Sequence, residues 1–251
     1  MNDDFVSVYG RHACLEALRV RPDVIKKAYL IEGAKDAELE AAVLKAKLSP
    51  LSFTERKLPR GVPPGAVHQG IVLVMDSSKL LRDYDEFMKS LVVTNDTALV
   101  VFGEVQDPHN VGAVIRSAAA FGVAGVIIPE HRQAPVTGTV IKVSAGMAFR
   151  VPLISVGNVN QTLRDLKERG FWAYGLEGEA KQSIHTETFE KPSIFILGNE
   201  ATGIREKTLD LCDIPLRIPM HPDAESLNAS ASAAVALYAW SIRHKGALSR
   251  N

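Results

Sequence analysis

The feature that most constrains this chain is a series of apolar segments of strand length that recurs from residue 97 onward, with helical patterns between them. Ala98-Leu99-Val100-Val101-Phe102 is apolar without alternation, as expected of a strand covered on both faces of a parallel sheet. Val126-Ile127-Ile128 follows a helical pattern over 110–121, and further strand-like runs lie at 151–155, 171–176, 193–197 and 214–218. Helical patterns over 136–148, 159–169 and 204–211 separate them, and a last helix, opening at Ser226, runs to near Gly246. Such alternation predicts an α/β fold in which helices flank a parallel sheet.

Residues 1–75 carry a smaller set of elements. A short extended start leads into a helix at 11–20, a strand at 27–31, a helix at 35–46 and a strand at 51–53. A Gly-Val-Pro-Pro-Gly loop at 61–65 precedes an apolar strand at 71–75. Prolines and glycines this dense break both regular periods, and the rest reads as a small α/β unit. The polar stretch 76–96, with some amphipathic helix but few core-type runs, is expected to connect it to a domain spanning 97–251. The 46% hydrophobic and 23% charged content is that of a soluble globular protein. Zero formal net charge gives no global field to announce a polyanionic partner, so any nucleic-acid contact must be a local patch. Cys14 and Cys212 are the only cysteines, which argues against a disulfide framework. Scattered histidines offer no metal-ligand spacing, so no metal is expected. With an acidic start and no bilayer-length apolar run, the expectation is a cytoplasmic protein with no membrane partner.

In open α/β sheets ligands gather beyond the carboxyl ends of the strands, and three strand ends here are unusual. In the first, 103–122, Asp107-Pro108 makes a turn, Asn110 is a candidate helix cap, and Arg116 lies among Val111, Ala113, Val114, Ile115 and Ala118. Its guanidinium needs a partner, either a ligand or a structural carboxylate. The second, Leu197-Gly198-Asn199-Glu200-Ala201-Thr202-Gly203, sets Glu200 between two glycines that permit close backbone approach. A helix dipole alone also accounts for that carboxylate. The spacing is neither the dinucleotide fingerprint nor a P-loop. The third, 218–240, passes Pro219, Met220 and Pro222 to Ser226-Leu227-Asn228 and an Ala/Ser-rich helix. Its thin surface suits close packing or the approach of a flat ligand.

Together these motifs resemble the SPOUT superfamily of methyltransferases, and within it the TrmH type, which methylates ribose 2′-hydroxyls of RNA. Val8-Tyr9-Gly10-Arg11-His12 and Gly65-Ala66-Val67-His68-Gln69-Gly70-Ile71 resemble the RNA-binding domain of the RlmB-like branch, which modifies a guanosine of 23S ribosomal RNA. The resemblance implies a C-terminal trefoil knot, with the threading part in 214–240. It also implies S-adenosylmethionine as cofactor, held by Leu176, Leu197, Gly198, Asn199, Gly203, Ile218, Met220, Ser226 and Leu227. Arg116, Asn110, Glu200, Ser226 and Asn228 are implied as the catalytic group, with Glu200 orienting the Arg116 fork. Tyr9, Arg11, His12, His68 and Gln69 are the implied substrate-binding residues. Lys26, Lys27, Lys45, Lys47, Arg56, Lys57 and Arg60 then become phosphate contacts, although a solvated surface explains any one of them. A homodimer is implied as well. Transfer RNA as substrate, or a non-catalytic RNA-binding protein of this fold, remain the alternatives; a nucleotide-phosphate enzyme stands further off for want of a P-loop.

Overall fold

A computed structural model describes residues 5–33 and 36–249. The acidic first four residues and the expected helix start at Lys35 lie outside them. Contacts divide the chain into two compact units, Met1–Leu81 with Pro135–Arg150, and Arg82–Ala134 with Val151–Asn251.

The first unit is built on a four-stranded sheet in the order β1-β4-β2-β3. Its strands are β1 (Phe5–Tyr9), β2 (Ile25–Ile31), β3 (Pro50–Phe53) and β4 (Ile71–Asp76). Helices α1 (Arg11–Val20) and α2 (Ala37–Lys45) supply Cys14, Leu15, Leu18, Leu39 and Val43 to its core. Val8, Ala28, Leu73 and Met75 of the sheet are fully buried. Residues 135–150 also belong to this unit, although their sequence reads as part of the 97–251 alternation. Their helix, placed at 136–148 by pattern, is the shorter Gly138–Val143, followed by a single turn at Met147–Phe149. Gly138 allows the contact with β1: an added Cβ would lie 1.9 Å from the Ser7 carbonyl oxygen. Lys142 completes it, donating to the Val67 carbonyl at 2.8 Å and lying 5.0 Å from the Tyr9 ring centroid.

The second unit holds an eight-stranded sheet, ordered β10-β12-β9-β11-β6-β7-β8-β5. In chain order the strands are β5 (Leu81–Asp83), β6 (Ala98–Phe102), β7 (Gly125–Pro129), β8 (Leu153–Val156), β9 (Trp172–Leu176), β10 (Gln182–Ser183), β11 (Ser193–Leu197) and β12 (Ile214–Arg217). The pairings from β10 through β8 are all parallel. All five residues of β6, β7 and β11 are buried, which accounts for their unbroken apolar character. The helices are α3 (Tyr84–Ser90), α4 (Pro108–Ala120), α6 (Val159–Glu168), α7 (Glu206–Leu209) and α8 (Ala229–Ser241), α5 being the Gly138–Val143 helix of the first unit.

The 76–96 stretch is therefore more than a connection. Asp83 caps α3 by accepting from the Glu86 N–H, and Phe87 and Met88 enter a core shared with Leu99, Ile127, Ile154 and Ile194. Fully burying a side chain of that size contributes about 1.5–3 kcal/mol. The amphipathic helix expected in this stretch is thus α3, but two buried positions among charged neighbours do not mark it as part of a core. At the other end of the chain, His244 is buried behind α8. Its Nδ1 lies 2.8 Å from Asp96 Oδ1, its Nε2 lies 3.0 Å from the Phe189 carbonyl oxygen, and its ring stacks on Trp240.

Candidate active site

Strands run outward from β6 through β7 and β8 on one side, and through β11, β9 and β12 on the other, so the order reverses between β6 and β11. A crevice beyond the carboxyl ends of such a pair is where open sheets bind ligands. Phe102 and Leu197 end these strands side by side. The loops that follow are joined at once, because the Gly103 N–H donates to the Leu197 carbonyl at 2.6 Å.

The loop after β11 closes on itself. Asn199 and Gly203 exchange backbone hydrogen bonds, both 2.9 Å, and Asn199 Oδ1 accepts from the N–H groups of Ala201 and Thr202. Gly203 has φ +69°, and a Cβ on Gly198 would lie 2.3 Å from the Gly203 carbonyl carbon. No side chain fits there, so the loop requires glycine at 198. Asn199 Nδ2 also donates to the Glu104 carbonyl at 2.9 Å, fastening this loop to the one after β6.

Glu200 makes the second fastening. Its carboxylate accepts from the backbone N–H groups of Gln106 (3.1 Å) and Asp107 (3.2 Å) and from Asn110 Nδ2 (3.1 Å). Desolvation pushes the carboxyl upward, but the hydrogen bonds from Asn110, Gln106 and Asp107 outweigh it and hold the group below its usual range. Two expectations change here. Asp107, not Asn110, caps α4, accepting from the His109 N–H at 2.8 Å, with Pro108 at the first helical position. Asn110, a buried third residue of the helix, is thereby free to hold Glu200. Arg116 is exposed and has no hydrogen-bond or ion-pair partner among the described residues, so Glu200 does not orient its fork within one chain.

The third wall begins after β12. Ser226, Leu227 and Asn228 are exposed and precede α8, whose first residue is Ala229 rather than Ser226. Asn228 is the cap, its Oδ1 accepting from the Ala231 N–H at 2.7 Å. A cavity of about 360 Å³ lies between the end of β9 at Leu176, the loop after β11 (Leu197, Gly198, Asn199, Glu200 and Gly203) and the start of α8 (Ser226 through Ala229 with Ser232), with the loop after β6 fastened behind Glu200. No basic side chain lines it among the described residues. Ile218 and Met220 lie on the segment leading into the third wall but are not part of the lining, and Met220 is exposed. Ala229 and Ser232 were not anticipated. Their three-residue spacing on a helix of small residues, which sets both on one face, was the available signal.

In the first unit, pairing of β1 with β4 brings the two N-terminal motifs together. The Gly10 N–H donates to the His68 carbonyl and the Arg11 N–H to Gln69 Oε1. Much of this cluster is internally engaged. Tyr9 is buried in a cluster with Phe53, Val62 and Val72. His68 is buried, its Nδ1 accepting from the Gly70 N–H and its Nε2 lying 3.2 Å from Glu55. Arg11 pairs with Asp36 at 3.0 Å and with Glu38. His12 and Gln69 are exposed. Among the described residues there is no group of three or more potential metal ligands, and no helix is long and apolar enough to cross a membrane.

Residues 97–238 match the SpoU rRNA Methylase family, and residues 7–81 match the RNA 2′-O ribose methyltransferase substrate binding family. The chain belongs to the SpoU rRNA methylase family. It is 35% identical over 241 residues to the 23S rRNA (guanosine-2′-O-)-methyltransferase RlmB of Vibrio parahaemolyticus, covering 95% of this chain and 96% of that one. The protein of that name from Xylella fastidiosa is 42% identical over 180 residues, 71% of this chain and 72% of its own. Among solved structures, the SpoU methyltransferase AviRb of Streptomyces viridochromogenes, in complex with AdoMet, superposes with a TM-score of 0.81 at 22% identity. That match covers 97% of this chain and 92% of AviRb, a likeness of fold.

Proposed function

We propose that this protein transfers a methyl group from S-adenosylmethionine to the ribose 2′-hydroxyl of a guanosine in 23S ribosomal RNA. The observation that carries this reading is the cavity beyond the ends of β9 and β11, built with the start of α8 from three segments that all fall within the family match. Its volume lies within the range of about 300–1,000 Å³ usual for small-molecule sites. Its lining suits the cofactor on chemical grounds. Leu176, Leu197 and Leu227 offer apolar surface to an adenine, and the one ionisable group, Glu200, is an anion. A site with no cation suits a sulfonium and is poorly made for a nucleotide phosphate.

S-adenosylmethionine, when bound, would supply an electrophilic methyl on a positively charged sulfur, the C–S bond breaking to leave a thioether as the oxygen–carbon bond forms. The protein's share is to bind, align and discharge the hydroxyl proton. Glu200 ties the walls together through its three donors, so that the loops keep their spacing when the ribose arrives. Asn228 fixes the start of α8 against the cavity, and Ser226 lines it. Alignment of this kind supplies much of the acceleration in bimolecular transfers.

Arg116 acts on the hydroxyl. A guanidinium stays protonated at ordinary pH, so its role is to bind the neighbouring phosphate and stabilise the charge that develops on oxygen, while the proton passes to solvent. Its exposure, without a partner among the described residues of its own chain, fits a homodimer in which it serves the other protomer's cavity. Val235, Tyr238 and Ile242 form an exposed apolar stripe on and just beyond α8, a surface suited to such pairing. The reading also includes a trefoil knot through 214–240, supported by the interior place of β12, between β10 and β9. An experimental structure with an unthreaded backbone contradicts that part alone. The first unit is read as the RNA-gripping domain, and the protein as cytoplasmic, beside its RNA.

Methyl-labelled cofactor and transcribed 23S rRNA test the proposal. Arg116→Lys and Arg116→Ala are expected to lower kcat by about 100-fold or more, with cofactor affinity unchanged by calorimetry. Full activity of Arg116→Lys contradicts a role for the fork geometry.

A further inference from the structure

We propose that the outer face of the first unit's sheet carries a pocket for one unstacked RNA nucleotide. Its base lies against Phe5 and Tyr29, and its phosphates meet Lys26 and Lys27. The inference rests on the reading of the chain as an RNA methyltransferase and deepens it by naming where the first unit takes hold of the substrate.

The sheet has two faces. One is covered, with Val8, Ala28, Leu73 and Met75 buried beneath α1 and α2. On the other face the strand pairings set Ser7, Val74 and Lys27 in one row, and Tyr9, Val72 and Tyr29 in the next. The loop between β3 and β4 covers the Tyr9–Val72 end, where Leu58, Val62 and Ala66 pack. It stops short of the first row. That leaves a cavity of about 510 Å³ lined by Phe5, Lys26, Lys27, Tyr29, Val74 and the Arg60–Gly61 turn. Ser7 holds that turn in place by donating to the Arg60 carbonyl at 2.6 Å.

A break in strand register explains why two lysines line the same cavity. Ideal alternation would send Lys26 and Lys27 to opposite faces. The β2–β4 register shifts between Ile25 and Lys27, and Ile25 and Ala28 are both buried while the two lysines between them are exposed. A bulge of this kind re-aims a side chain. Lys26 lies 3.9 Å from Asp76, whereas Lys27 has no ion-pair or hydrogen-bond partner among the described residues. No carboxylate lines the cavity among the described residues, and Phe5 remains 55% exposed at its rim. An exposed aromatic, Phe5, and a half-buried one, Tyr29, beside the unpartnered Lys27 make the combination that holds single-stranded nucleic acid, by stacking and phosphate contact.

The test uses the full-length protein and a short fluorescein-labelled single-stranded oligoribonucleotide, followed by anisotropy across a salt series. Lys27→Glu and Phe5→Ala are each expected to weaken binding about tenfold. Lys27→Glu also reduces the salt slope by about one. Lys191→Glu, with the same charge change at an exposed position just before β11, is expected to bind as wild type does, and all three are expected to keep the wild-type melting temperature and cofactor affinity. Wild-type binding by Lys27→Glu and Phe5→Ala, an equal loss in Lys191→Glu, or no binding by the wild-type chain overturns the pocket. Methylation of 23S rRNA, assayed separately, distinguishes the two readings. Lys27-dependent RNA binding without methyl transfer keeps the pocket and removes the enzyme, while methyl transfer with an unchanged KM in Lys27→Glu removes the pocket and keeps the enzyme.

Discussion

Glu200 gathers three donors from residues 90 to 94 positions away in the chain. Because its folded-state value is lowered, its contribution is fully present above the unfolded carboxylate value of about 4.3. It fades as pH falls through the lower folded value. The difference in denaturant midpoint between wild type and Glu200→Gln is therefore expected to be largest near neutrality and to shrink on acidification below that range. A difference that grows on acidification contradicts the assignment. At Gly198 the constraint is steric. Gly198→Ala forces a carbon into the Gly203 backbone and is expected to cost about 1–3 kcal/mol in stability and to abolish cofactor binding by calorimetry. The two glycines and the carboxylate were legible as a special loop. Their donors were not, because nothing local in 197–203 specifies that 106–110 will lie across from it.

At the scale of elements, the start of α8 turns on one hydrogen bond. Ser226 and Asn228 are both good caps by type, and only the reach of Asn228 to the Ala231 N–H decides between them. Asn228→Ala is expected to lower stability by about 1 kcal/mol, measured by chemical denaturation, while Ser226→Ala leaves it within error. At α3 the pattern indicated a helix but not its burial. Only two of its seven residues are buried, too few among charged neighbours to mark the helix as part of the core. Phe87→Ala is expected to cost about 3–5 kcal/mol. A loss under 1 kcal/mol would restore 76–96 to the status of a plain connection. The strands were far easier to read, since β6 and β11 coincide with apolar runs that full burial on two faces makes unavoidable.

For the whole molecule, alternation made the parallel α/β architecture evident, but strand order was beyond it. That β11, late in the chain, lies beside β6 depends on which crossovers pack best, a long-range choice that periodicity does not encode. Nor did it show that residues 135–150 pack with the first unit, since a helix that belongs to another core keeps the same local pattern. Assembly supplies a separate prediction. If Arg116 serves a neighbour's cavity, mixing inactive Arg116→Ala with inactive Gly198→Ala chains restores roughly a quarter of wild-type activity through random two-fold pairing. No recovery after verified subunit exchange contradicts sharing of the site. The central claim rests on a single product. Purified protein, S-adenosylmethionine and unmodified 23S rRNA are incubated together, and the RNA is digested to nucleosides and resolved by mass spectrometry. The account predicts one 2′-O-methylguanosine per RNA molecule, absent when Arg116 is alanine. Methyl on a base, methyl in transfer RNA alone, or no methyl at all contradicts it.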